Sequence, residues 1–183
     1  MKTYYSFFMA IMFVSCSNRL HVPRNQDSKP MNFLAMKEIM KNVKNHIHRP
    51  THLIVAFQYT HTSQGTITLY RFNAIIYDCD NKMRLYLVNE DNNQFKTYFS
   101  SKTPQFETMD LILKYYVDGR LNELLKSQER FKDGGDNAFI FDINFAENTT
   151  REYDFDQLSF DDNGNLTTFK KMWELRQKAK SKY

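Results

Sequence analysis

Three histidines, His46, His48 and His52, fall within seven positions, and His61 follows nine residues later. Imidazole nitrogens are common metal ligands, but a zinc-type site needs three or four donors converging about 2.1 Å from one ion. The spacing here matches no recognised ligand motif. A strand between His52 and His61 would hold those two about 30 Å apart. The more ordinary role for His46 and His48 is at a helix C-terminus, where aligned peptide dipoles leave a partial negative charge.

A second group is acidic: Asp154, Asp156, Asp161 and Asp162, followed by Asn163 and Gly164. Setting Gly164 at the glycine of a twelve-residue calcium loop puts Ser159 first and Lys170 last, where carboxylates are required, so that loop is excluded. A looser calcium turn would use Asp161 and Asn163. An Asn-Gly hairpin turn accounts for the same residues without a ligand. Nucleophiles fare no better. Ser63-Gln64-Gly65 lacks a glycine-flanked serine, Gly134-Gly135 lacks the lysine of a phosphate loop, and Cys79 has no catalytic cysteine signature around it. No catalytic residue is assigned and no cofactor is implied, which favours a non-enzyme.

Aromatic residues make up 15% of the chain, with 16 Phe and 11 Tyr. Tyrosines on an exposed sheet face, among them Tyr59, Tyr70, Tyr86 and Tyr98, would suit a protein or glycan partner, because the ring supplies area and the hydroxyl a polar tip. Ordinary cross-strand pairing is the simpler use. The formal net charge of +4 is too mild to argue for nucleic acid.

These residues sit in a pattern of alternating periods. Phe33, Met36, Met40, Val43 and Ile47 recur at helical spacing and predict a helix over residues 32–48, ended by Arg49-Pro50. From residue 51 the period becomes two. Strands are expected over 52–60, 66–77, 83–89 and 94–99, linked by short polar turns that make neighbours antiparallel. Leu53, Val55 and Phe57 alternate with Ile54 and Ala56, so the first strand is expected in the middle of the sheet. The alternation in the second shifts phase near Arg71-Phe72, which predicts a bulge. Helices follow over 105–117 and 121–131, broken at Asp118-Gly119. Phe139, Phe141, Ile143 and Phe145 mark a strand over 137–146, a further strand covers 151–160, a type I′ turn at 162–165 leads into 166–169, and a short basic helix over 170–180 ends the chain.

The first sixteen residues carry a different message. Met1-Lys2-Thr3 precedes an apolar run from Tyr4 to Val14, then Ser15-Cys16. As a helix the run would span about 16 Å, against a hydrocarbon core of about 30 Å. Phe13-Val14-Ser15-Cys16 resembles the lipobox of bacterial lipoprotein precursors, with Phe13 where leucine is commonest. That resemblance implies cleavage before Cys16, its lipidation, and a membrane-anchored place in the cell envelope. The absence of Asp directly after Cys16 and of an acidic cluster nearby implies an outer membrane, periplasm-facing position. With Cys16 lipidated, Cys79 has no intrachain partner, so no disulfide is expected.

Together these expectations describe a signal peptide over 1–15, a polar tether over 16–31 and one domain over 32–183. The domain is α+β, with a mainly antiparallel sheet of six or seven strands, an N-terminal helix, a central helical pair and a short C-terminal helix. The expected role is an envelope lipoprotein that binds another macromolecule, in a narrower form an immunity protein that neutralises a toxin. The alternative is a small envelope hydrolase or metal-dependent enzyme built on the histidines or the acidic loop.

Overall fold

The structure is a computed structural model, and it describes residues 30–64, 67–91, 95–128, 137–168, 170, 171, 174 and 177. The expected signal peptide, lipidation site and all but the last two residues of the tether lie outside that set. So do the turn at 65–66, the double glycine at 134–135, and Met172 and Trp173.

The fold is α+β, built on a six-stranded antiparallel sheet. Strands β1 (His52–Gln64), β2 (Ile67–Asp78), β3 (Met83–Asp91) and β4 (Phe95–Ser100) form a meander, and β5 (Ala138–Asn144) and β6 (Thr149–Phe155) add to its other side, in the order β4-β3-β2-β1-β5-β6. β1 therefore lies inside the sheet, as its two apolar faces require. Leu53, Val55 and Phe57 point to one layer and Ile54 and Ala56 to the other, all buried.

The first layer is helix α1 (Pro30–Val43), whose Ala35, Met36, Ile39, Met40 and Val43 pack on Val55, Phe57, Ala74, Ile76 and Phe141. Phe57 stacks between Phe139 at 5.1 Å and Phe141 at 5.6 Å. Burying each such side chain stabilises the fold by about 1.5–3 kcal/mol. The helix differs from expectation at both ends. It begins at Pro30, where a proline in the first turn withholds an N–H that has no partner anyway. It ends at Val43, and residues 44–47 form turns in which the Ile47 amide still bonds the Val43 carbonyl. Ile47 is thus buried with the helical stripe without belonging to the helix.

The second layer is a 3-10 turn (Pro104–Phe106), α2 (Glu107–Val117) and α3 (Leu121–Lys126), with Phe106, Met109, Ile112, Leu113, Tyr115 and Leu124 packed on Ile54, Ala56, Ile75, Ile140 and Phe155. α3 is shorter than the expected 121–131. Gly119 at φ 75° separates the helices; its amide bonds the Tyr116 carbonyl and that of Arg120 the Tyr115 carbonyl, the crossed pair that closes a helix on a left-handed residue. β7 (Ser159–Phe160) and β8 (Leu166–Thr167) form a separate hairpin, so the expected strand over 151–160 is divided in two. Beyond it, the Thr168 hydroxyl accepts from the Lys171 amide, a cap for the helical backbone seen at Lys170, Lys171, Glu174 and Gln177.

Two local expectations are corrected. β1 and β2 pair without a slip from Leu53 opposite Asp78 to Gln64 opposite Ile67, so no bulge interrupts Arg71-Phe72. A strand buried on both faces carries apolar residues at both parities, and a change of phase there inserts nothing. The hairpin turn is not type I′ either. Only Gly164 has a positive φ, and five residues, 161–165, connect β7 to β8.

Candidate functional site

At the end of the sheet where β1 begins, an alternating strand brings polar side chains onto the α2 layer. Ile54 lies opposite Tyr77 of β2 and opposite Asp142 of β5, which puts all three in one row. His52, two positions before Ile54 and so on the same face, reaches diagonally to Asp142: its Nε2 is 2.5 Å from Oδ1. The other oxygen, Oδ2, accepts the hydroxyl of Tyr116 at 2.5 Å from the last turn of α2. Tyr153 of β6 lies beside it, with ring centroids 5.4 Å apart.

The chemistry of each group orders this chain. A phenol has one proton to give, and Tyr116 gives it to Asp142. Burial, reinforced by the Asp142 carboxylate, pushes the Tyr116 phenol well above its ordinary range and keeps it neutral. Asp142 is acceptor only, so His52 carries its proton on Nε2 toward Oδ1. Its Nδ1 is then the basic nitrogen on a side chain 36% exposed. A carboxylate-oriented imidazole with an accessible second nitrogen can take up a proton, the arrangement a general base needs.

Cys79 sits at the same end, half-buried in the α2 layer, its amide bonded to the His52 carbonyl. Burial pushes its thiol up to about 11, and the charges of Asp142, Asp80 and Asp78 add to that. This opposes nucleophilic use, since the thiolate is the reactive form. Asp78 is buried and accepts from the amides of Asp80 and Asn81 and from the Asn81 side chain. Asp80 accepts the Thr51 amide and hydroxyl, both at 2.6 Å, and those bonds hold its carboxyl below the usual range.

The histidines singled out by spacing are not brought together. His46 is exposed and lies against Phe99, ring centroids 4.0 Å apart, in the α1 layer; His48 is exposed in the turn that follows; His52 serves the opposite face. Because α1 ends at Val43, neither His46 nor His48 caps its last turn. Among the described residues no three His, Cys, Asp or Glu side chains converge as a metal site would require. Asp161 is committed to its own loop: Oδ1 accepts the amides of Asn163 and Asn165 and Oδ2 the Asn165 side chain, and these bonds hold its pKa below the usual carboxyl value. Asn163 contributes only its backbone there. Tyr86 packs edge-on against buried Phe106 at 5.1 Å and is half-buried, so it supports the α2 layer. The side chains of Tyr59, Tyr70 and Tyr98 lie outside the described residues.

Sequence reasoning missed Asp142, Tyr116 and Tyr153. Asp142 had a signal: it interrupts Phe139-Ile140-Phe141-Asp142-Ile143, apolar at both parities, so a charge there is enclosed and must find partners. No protein-family model matches the chain, and comparison with curated proteins and with solved structures gives no match either. The class that fold and site define is a three-layer α+β domain with a Tyr-Asp-His hydrogen-bond chain at one sheet end.

Proposed function

We propose that the chain is a lipid-anchored protein of a bacterial cell envelope, held by Cys16 in the outer membrane and facing the periplasm, where it binds another macromolecule without catalysis. The observation that carries the address is the lipobox-like Phe13-Val14-Ser15-Cys16 after a short apolar run. The non-catalytic part is supported by the polar cluster at the sheet end. There Asp78, Asp80 and Asp142 each hold internal donors, and the only thiol in reach is held protonated. Immunity to an envelope-directed toxin is the narrower form.

Metabolic labelling with a fatty acid, with membrane fractionation of the wild type beside Cys16→Ala, tests the anchor. Label and membrane association that depend on Cys16 support it; an unlabelled wild type removes it. A second reading, a small envelope hydrolase, is favoured by one observation: the Nε2 of His52 is oriented by Asp142 on a side chain that is 36% exposed. Hydrolysis of an activated ester that is lost in His52→Gln and kept in Cys79→Ser would replace the binding reading with this one.

A further inference from the structure

The charge of this chain is divided unevenly along its length. Residues 16–49 hold seven Lys and Arg against two acids, a net +5, whereas residues 50–169 carry a net −7. The fold concentrates the first excess on one surface. Lys37, Lys41 and Lys44 are spaced four and three apart, so at 100° per residue they share an arc of about 60° on α1. All three are exposed, and across the helix from them Ile39 and Val43 are buried on the sheet, with buried Met36 and Met40 on the flank between. His46, His48 and Arg49 are exposed in the turns after the helix. Among the described residues one acid pairs with this set: Glu38, half-buried and 3.8 Å from Lys41, a pair too exposed to neutralise it.

We propose that the outer face of α1, marked by Lys37, Lys41 and Lys44, docks on an anionic lipid surface. This rests on the lipid-anchor reading, which supplies the membrane. Pro30, the first residue of α1, is fourteen positions from Cys16, so the tether spans at most about 48 Å and brings α1 to the bilayer before any other element. The tether adds Arg19, Arg24 and Lys29 against Asp27. Basic groups beside an acidic leaflet are attracted over about one Debye length, roughly 8 Å, a separation that lies well inside the reach of the tether. Docking this way turns the α2 layer, with His52, Asp142 and Tyr116, away from the lipid, because α1 and α2 cover opposite faces of the sheet.

The test uses the full lipidated chain in two kinds of vesicle, phosphatidylcholine alone and phosphatidylcholine with a third of the lipid replaced by phosphatidylglycerol. Lysine acylation is read residue by residue by mass spectrometry. Lys37, Lys41 and Lys44 are expected to react at least about threefold more slowly on the anionic vesicles, with the difference abolished at 0.5 M salt. Lys114 and Lys126, exposed in the opposite layer, should not change. Equal rates on both vesicles, or the same slowing at Lys114, overturn the proposal. Slowing only at Lys170 and Lys171 also overturns it, in favour of the C-terminal segment. Failure of the anchor is seen separately, as a chain that does not float with neutral vesicles. In that case flotation with anionic vesicles that is lost in Lys37→Gln/Lys41→Gln/Lys44→Gln still supports the α1 surface, and no flotation with either overturns it.

Discussion

Replacing Tyr116 with Phe isolates the hydrogen-bond chain at the sheet end from the packing around it. The ring stays against Tyr153 and α2, while Asp142 Oδ2 loses the hydroxyl 2.5 Å away. A hydrogen bond to a charged group contributes about 1.5–3 kcal/mol. Asp142 is 17% exposed, so water replaces part of the lost bond, and the expected loss is about 1–2 kcal/mol. For a chain of this length that lowers Tm by roughly 2–8 °C. Thermal and urea unfolding of Tyr116→Phe, Asp142→Ala and the double variant measure it. The two groups act on one bond, so their losses should fall short of additivity by about 1 kcal/mol. A Tyr116→Phe variant within 0.3 kcal/mol of wild type, or strict additivity, would refute the reasoning that the phenol holds the carboxylate.

Outcomes at three further positions are expected. Cys79 should react with iodoacetamide at pH 8 about a hundredfold more slowly than an ordinary thiol, since its folded pKa is about 11 against 9.0; unfolding in urea should restore the rate, and equal rates in both states would contradict the burial argument. The native chain also binds the extra proton between those two values, so Cys79 makes stability fall as pH rises through that interval, a slope that Cys79→Ala should lessen. Gly164→Ala should cost about 1–2 kcal/mol from its φ of 75°. The added Cβ would stand 2.8 Å from Leu111 Cδ2, a methyl at the end of a half-buried side chain that can turn away, so Leu111→Ala should recover less than half the loss. Lys82→Gly should raise Tm by about 2–4 °C, because Lys82 holds φ 53° where glycine is unstrained; a lower Tm would mean the lysine side chain contributes more than its backbone loses.

Much of the architecture was legible because apolar spacing is a local signal. The central place of β1, the helical pair and the break at Gly119 all follow from residues within one turn or one strand of each other. The end of α1 was misread since Ile47 keeps the helical stripe while the backbone has already turned, and burial alone does not distinguish the two. The type I′ turn was misread because Asp161 can close a longer loop with its carboxylate, a bonding choice that Asn163-Gly164 does not reveal. The polar cluster was least legible. His52 was visible as one of a group, but its partner is set by the register of β1 on β5, which no short stretch encodes.

That register has a kinetic side. His52 and Asp142 lie 90 positions apart, whereas β1 through β4 pair each with its neighbour across a short turn. Closing a loop of that length costs about 4 kcal/mol of chain entropy beyond the constant common to all loops, so the meander has the entropic advantage and β5 docks onto an edge of β1 already in place. The imidazole then stays without its carboxylate until the chain has emerged past Asn144. An exported chain would meet that condition only on the far side of the membrane, so the cluster would assemble in the same compartment where it is used.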